Sequence, residues 1–187
     1  MIEDIMSIFD RNFGRLNSLI SIYKTVSTGR GRKPTNSLDI LRATVVLAHS
    51  TLEDYLRSVL NWRLPMQGST EINKIPIIGS SEKKILLGEL MGYGNRTIDE
   101  IIDLSIKEHL GKRSFSRPAD ITTALESISL QVTEPIRSIF PSLEEMMKRR
   151  HNIVHRADRD NAIGSGNHRI KSISIQKLKT GKKLLMH

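Results

Sequence analysis

Residues 37–60 read SLDILRATVVLAHSTLEDYLRSVL, and their apolar side chains recur at spacings of three and four. An α-helix has 3.6 residues per turn, so this spacing places the apolar side chains on one helix face. Ser37 is a suitable N-cap for such a helix, and Asp39 would lie favourably in its first turn. The stretch therefore predicts a long amphipathic helix, whose buried stripe consists of Leu41, Val45, Ala48, Leu52, Tyr55, Leu56 and Val59.

The same periodicity predicts an N-terminal helix over residues 2–26, with the apolar stripe Ile5, Phe9, Phe13, Leu16, Ile20 and Tyr23. Residues 27–34, rich in Gly and basic side chains, would form the turn between these two helices. Residues 64–81 contain two Pro and two Gly and are predicted to form a long connection. We expect further helices over Glu82–Met91, Ile98–Leu110, Pro118–Val132 and Pro141–Arg156, and a weaker one over Ile175–Met186.

Two capping boxes support these boundaries, one formed by Thr97 and Glu100 and the other by Ser142 and Glu145. The sequence contains no internal repeat and no credible pair of strands. It therefore predicts the all-α class, as an up-and-down helical bundle with a core of four to five main helices plus short flanking helices. We expect one domain over residues 1–187, with its core at about 38–157, the N-terminal helix at 2–26 and a C-terminal tail or helix at 168–187.

The bulk composition narrows the function classes. The 187 residues include no Cys, which excludes disulfides and thiolate chemistry. The apolar runs are too short to span a bilayer, and the acidic start, Met1–Asp4, does not resemble an export signal. We therefore expect a cytoplasmic protein with no membrane partner.

The charge balance favours a polyanionic partner. Lys and Arg number 29 against 20 Asp and Glu, which gives a formal net charge of +9. Only 4% of the residues are aromatic, so a platform on which bases stack is not expected. If the partner is a nucleic acid, contacts to phosphates should dominate.

The segment richest in chemically active side chains is KRRHNIVHR, residues 148–156. One interpretation is structural, because cations in the last turns of a helix stabilise it through the helix dipole. A second is a metal site, because His151 and His155 share a helix face at a spacing of four. Its third ligand would have to be Asp158, Asp160 or His168. Asn152, however, stands where zinc proteases have their Glu, and the neighbouring cations would repel a divalent ion.

A third interpretation is acid–base chemistry on an RNA phosphodiester. RNA carries its own nucleophile, the 2′-hydroxyl, so cleavage needs a base, an acid and a cation on the phosphate oxygens. Histidine can serve as either the acid or the base near neutral pH, and arginine binds phosphate through two parallel hydrogen bonds. On a regular helix Arg150 and His155 lie about 140° apart around the axis and about 7.5 Å apart along it. Two such helices facing each other across a two-fold axis would supply two Arg and two His to one cleft.

The string Arg150-His-Asn-Ile-Val-His155 resembles the Arg-x4-His signature of the HEPN superfamily, most closely that of its RiboL-PSP branch. Upstream, residues 29–34 leading into Leu38-x-x-Leu41-Arg-Ala resemble the loop and helix start of the family. Residues 52–57, LEDYLR, resemble its Leu-Glu-x-Tyr-Leu-Arg helix, and residues 74–76, KIP, its later connection. The resemblance extends over most of residues 38–156.

This resemblance implies a helical bundle that forms a homodimer with the two motifs apposed, and it implies a metal-independent endoribonuclease without a cofactor. Arg150 would bind or orient the phosphate, His155 would be the base or the acid, and His151 would tune their placement. Candidate contacts to RNA phosphates are Lys148, Arg149 and Arg156. The cellular setting would be a toxin–antitoxin system, phage defence by abortive infection, or RNA processing. The alternative is a non-catalytic HEPN module that binds RNA, a nucleotide or a cognate protein such as an antitoxin.

Overall fold

The computed structural model describes residues 1–28, 34–80, 85–159 and 170–174. The α-helices in these ranges are α1 (Ile2–Val26), α2 (Thr35–Arg63), α3 (Ser69–Ile72), α4 (Ile98–Lys112), α5 (Pro118–Glu126) and α6 (Glu134–Arg156), and 3-10 helices span Leu64–Met66 and Leu87–Tyr93. The strand-like pairing found in the same ranges is a single antiparallel bridge between Arg159 and Ile170. The predicted all-α class is therefore confirmed.

Several predicted boundaries agree with the structure. Helix α1 has the predicted bounds, 2–26. The Thr97–Glu100 capping box at the start of α4 is present: the Thr97 hydroxyl accepts from the Glu100 amide at 3.2 Å, and the Glu100 carboxylate accepts from the Thr97 amide at 2.7 Å. The start of α4 was predictable because a capping box depends on residues only three positions apart.

Other boundaries were predicted wrongly. Helix α6 begins at Glu134 rather than at Pro141, which lies inside the helix, and Ser142 is therefore not its cap. Helix α2 begins at Thr35, so Ser37 lies within its first turn, where its hydroxyl donates to the Pro34 carbonyl at 2.8 Å. Serine is also found within the first turn, where its hydroxyl can bond to a backbone carbonyl. Proline is uncommon as the eighth residue of a helix because it removes an amide hydrogen from the helical hydrogen bonds, so Pro141 gave a misleading start signal.

Two predicted helices differ in the second half of the chain. The helix predicted over Glu82–Met91 is replaced, in its described residues, by the 3-10 helix Leu87–Tyr93. Gly88 and Gly92 lower the α-helical propensity there. Helix α5 ends at Glu126 instead of Val132, and Ser129 follows with a φ of 60°. Residues 29–33 of the predicted basic turn and the predicted Ile175–Met186 helix lie outside the described residues. The single-domain boundaries stay a prediction.

The contacts divide the chain into two compact units. The first comprises Met1–Ile5 and Tyr55–Val132, and the second comprises Met6–Asp54 and Thr133–His187. We call the second the motif unit, because it includes residues 148–156. Its apolar core contains Tyr23, Leu41 and Val45, and Met146 and Ile153 of α6 pack against them. Met146 and Ile153 are seven residues apart and so share one face of α6, which leaves the opposite face of that helix outside this core.

In the first unit, Arg57 connects the second half of α2 to the end of α4. Its guanidinium lies 5.4 Å from the ring centre of the fully buried Phe115, and it donates to the carbonyls of Leu110 and Arg113 at 3.2 and 3.0 Å. The last carbonyls of a helix have no partner within the helix, so an arginine that caps them also fixes where the helix ends. Arg57 therefore holds α2 and α4 of this unit together.

A cavity of about 250 Å³ lies in the first unit beside His109 and Arg113 of α4. Burial lowers the pKa of the His109 imidazole below its ordinary value of 6.5, and the charges of Arg113 and Lys112 lower it further. The folded protein therefore favours the neutral imidazole at this position.

This pKa shift predicts a pH-dependent stability. In the window between the lowered folded pKa and 6.5, the unfolded chain binds more protons than the folded one, so the free energy of unfolding falls as the pH falls through that window. We expect His109→Gln to weaken this dependence, measured as the melting temperature at pH values between about 5 and 8. An unchanged pH profile in His109→Gln would contradict the assignment.

Candidate functional site

The candidate site lies at the C-terminal end of α6, and an unusual turn follows that end. Ala157 and Asp158 adopt left-handed conformations, with φ values of 48° and 56°. The amides of both residues donate to the carbonyl of Asn152. This is the way in which helices commonly end, but the left-handed position usually holds glycine, and a residue with a side chain costs about 1 kcal/mol or more there. Other contacts must therefore hold this turn.

Those contacts come from the Asp158 carboxylate, whose side chain is fully buried. Its Oδ2 accepts from Nε of Arg42 in α2 at 2.8 Å and from a terminal nitrogen of Arg149 in α6 at 2.5 Å. Arg42 is itself almost buried and also pairs with Asp39 at 3.0 Å. One buried carboxylate thus joins two helices of the motif unit that are distant in sequence.

The segment 170–174 completes this cluster. The Lys171 carbonyl accepts from Arg42 at 2.9 Å and from Arg149 at 3.0 Å, while its amide donates to the Asp158 carbonyl at 3.0 Å. Ile173 packs against the core of the motif unit. The chain after the motif therefore returns to the end of α6 and shares the same two guanidinium groups.

The residues proposed for acid–base chemistry lie on the last two turns of α6. His151 and His155 are both exposed, and their ring centres are 4.7 Å apart with an angle of 44° between the ring planes. Arg150 is half-buried, and its Nε is buried without an acceptor among the described residues. This end of the helix thus offers two accessible imidazoles and one half-buried guanidinium.

The structure places the rings of His151 and His155 of one chain close together, but Arg150 projects from a different side of α6. Because α6 is helical through Arg156, the separation expected from a regular helix applies to Arg150 and His155, about 140° around the axis. A single helix therefore does not gather Arg150 and His155 on one line. A cleft that uses both needs a second element.

The three candidate phosphate contacts lie in different environments. Lys148 is exposed and pairs with Glu144 at 2.6 Å, and Arg156 is exposed at the helix end. Arg149 is only 20% exposed, and its guanidinium already donates to Asp158 and Lys171. Their roles toward RNA stay a prediction.

The Arg42–Asp158 ion pair was missed by sequence reasoning, which considered Asp158 only as a metal ligand in a polar loop. A signal was present, because Arg42 adjoins Leu41 and lies three residues before Val45, on the border of the apolar stripe of α2. An arginine that enters a core requires an acceptor there. Which acceptor it meets, 116 positions further along, has no local signature.

The metal interpretation gains no support from the described residues. Among them, no three His, Asp or Glu side chains come close enough to hold an ion. Asp158 is turned toward two guanidinium groups, whereas Asp160 and His168 lie outside the described residues. Within the same residues, no helix is both long enough and apolar enough to cross a membrane.

Comparison with known proteins identifies the family. No curated protein and no solved structure matches the chain. The model of the family described as RiboL-PSP-HEPN matches residues 10–183, which is nearly the whole chain and includes α1 from its third turn, all of α2 to α6 and the segment 170–174. The chain therefore belongs to the RiboL-PSP-HEPN family of the HEPN superfamily.

Proposed function

We propose that the chain is a metal-independent endoribonuclease that cleaves RNA by attack of the 2′-hydroxyl on the adjacent phosphorus. Membership of the HEPN superfamily supports a nuclease or RNA-related role in general. The observation that carries the finer proposal is the end of α6, where two exposed imidazoles have ring centres 4.7 Å apart and the half-buried Arg150 lies on the same two turns. The formal net charge of +9 favours capture of a polyanion.

The proposed reaction requires two proton transfers. A base removes the proton of the 2′-hydroxyl, the 2′-oxygen bonds to phosphorus, and the bond to the 5′-oxygen breaks as an acid protonates that oxygen. The products are a 2′,3′-cyclic phosphate and a 5′-hydroxyl. His155 is assigned one of these transfers, and Arg150 would bind the phosphate oxygens as negative charge develops on them. His151, packed beside His155, would orient its ring.

The proposed active unit is a homodimer with the two motifs apposed. One α6 separates Arg150 and His155 around its axis, and a two-fold axis is the simplest way to place the arginine of one copy near the histidine of another. We place the enzyme in the cytoplasm as an effector of a toxin–antitoxin system, phage defence or RNA processing, with a cognate antitoxin as a further candidate partner.

A second candidate function is a non-catalytic module that binds RNA, a nucleotide or a cognate protein. The first unit supplies the observation that favours a protein partner. Leu87 and Met91 of its 3-10 helix are 83% and 85% exposed, and Leu86 directly before that helix and Ile98 at the start of α4 are also exposed. Exposed apolar side chains, where they form one patch, are typical of surfaces that contact another protein.

Incubation of the purified wild-type protein with structured RNA in excess EDTA tests the proposal. We expect cleavage to persist at an undiminished rate and to leave cyclic phosphate and 5′-hydroxyl ends, because no step uses a metal ion. Product ends are identified by their response to phosphatase and polynucleotide kinase. Absence of cleavage by freshly prepared wild-type protein, with or without Mg²⁺, would favour the non-catalytic module. Cleavage that stops in EDTA would restore the metal interpretation.

A further inference from the structure

The motif unit contains a buried charge cluster formed by Arg42, Asp158 and Arg149. It contains two guanidinium groups and one carboxylate, and both guanidinium groups bind the same oxygen, Oδ2. The other oxygen, Oδ1, is buried without a partner among the described residues. A buried ion pair is weak evidence for a stability role on its own, since apolar residues of similar volume often stabilise a core as well. Its position suggests another role.

The cluster lies directly behind the candidate site. Asp158 is three residues after His155, and its amide, like that of Ala157, closes the end of α6 on the Asn152 carbonyl. Two successive left-handed residues with side chains persist only where other contacts hold them. The contacts that hold them here are the hydrogen bonds of the Asp158 carboxylate and backbone.

We propose that Asp158 is a positioning residue for the ribonuclease site, an inference that rests on the proposed function. Its carboxylate anchors the last turn of α6 to Arg42 of α2, and thereby sets where the His155 and His151 rings lie. It acts through the helix end and does not touch RNA.

The same geometry assigns different roles to two adjacent arginines. The guanidinium of Arg149 donates to the Asp158 carboxylate and to the Lys171 carbonyl. Arg149 therefore helps Asp158 to hold the end of α6 and is not assigned to phosphate binding. Arg150, one position later, points about 100° away around the helix and takes no part in these contacts with Asp158 and Lys171. The guanidinium left for the substrate is therefore that of Arg150.

The first part of the test measures the relative position of the His151 and His155 rings, and it does not depend on RNA cleavage. In full-length wild-type protein we expect a nuclear Overhauser effect between the His151 and His155 rings, whose centres are 4.7 Å apart. In Asp158→Asn, which keeps the shape but loses the charge, we expect this effect to weaken. Amide exchange at residues 153–156 should accelerate by about tenfold or more, while exchange in α4 of the first unit should stay unchanged.

Arg149→Met is the second variant, because it keeps the aliphatic part of the side chain and leaves Asp158 its bond to Arg42. Arg149→Met should show smaller changes in the same ring contact and amide exchange rates. If Asp158→Asn does not fold, these measurements on Arg149→Met test the positioning role instead. Arg11→Met on α1, an exposed arginine, is the matched control and should match the wild type in both measurements.

The second part measures cleavage. A displacement of about 1 Å can cost about 10²-fold in rate, so kcat of Asp158→Asn should fall by up to that factor while KM stays nearly constant. One outcome is that the wild type cleaves RNA while the variants keep the wild-type nuclear Overhauser effect, amide exchange rates and kcat. In that case the positioning role of Asp158 is wrong and the nuclease proposal is retained. If the wild type does not cleave but the ring and exchange changes occur, the nuclease proposal fails and the anchoring of α6 by Asp158 is retained.

Discussion

Replacing His155 by alanine is expected to reduce the rate of RNA cleavage by about 10²–10⁴-fold, because that is the usual contribution of one positioned acid or base. The imidazole is exposed on the last turn of α6, and the main core of the motif unit lies under Met146 and Ile153 instead. Its removal should therefore leave the fold intact. The rate is measured with end-labelled RNA at saturating protein, and the melting temperature of the variant should match that of the wild type.

Two histidine variants serve as comparisons for His155→Ala. His109→Gln changes a histidine of the first unit that has no place in the proposed site, and at about pH 7.5 it should cleave as fast as the wild type. His151→Ala should lose less activity than His155→Ala, because the proposed role of His151 is to orient its neighbour. Full activity of a folded His155→Ala protein would refute the assigned role.

Replacing Arg150 by alanine has the second large effect that we expect, a loss of about 10²–10³-fold in kcat/KM. Arg150 is half-buried on α6, and its guanidinium is assigned to the phosphate oxygens on which negative charge develops in the transition state. Arg150→Lys should recover only part of the activity, because an ammonium group cannot form the two parallel hydrogen bonds of a guanidinium. Arg11→Ala, an exposed arginine of α1, is the control for loss of one positive charge.

Mixing the two inactive variants tests the composite cleft. A dimer of one Arg150→Ala chain and one His155→Ala chain retains one arginine and one histidine, each from a different copy. If the cleft is shared across a two-fold axis, the mixture should cleave faster than either variant alone after subunit exchange. Differently tagged chains, purified through both tags, give the mixed dimer directly. A mixture no more active than the separate variants, or a wild type that is strictly monomeric in solution, would contradict the shared cleft.

The helices were predictable where neighbouring residues decide the structure. The apolar stripe of residues 37–60, the N-terminal helix and the Thr97 cap depend on spacings of three and four, which a single helix satisfies by itself. The boundaries that failed were those where a local signal competes with its surroundings. Pro141 and Ser142 have the features of a helix start, but the residues from Glu134 onward already form α6.

The candidate site was likewise predictable from the sequence only in part. The spacing of Arg150, His151 and His155 is a property of six consecutive residues, and the structure adds the contact between the two rings. Arg149 illustrates the limit of that spacing. Beside Arg150 in the sequence it is an equivalent cation, but in the motif unit it is bound to Asp158 and Lys171.

What the sequence determined by itself is the all-α class, the basic character of the surface and the motif on the last turns of α6, because periodicity, charge and short spacings are local quantities. What only the tertiary structure decided is the partnership of Arg42 with Asp158, the left-handed turn at Ala157 and Asp158, and the return of Lys171 to the helix end. The physical reason is that a buried charge needs a partner but does not specify its position in the chain. That partner is selected only when α2 and α6 pack together in the motif unit.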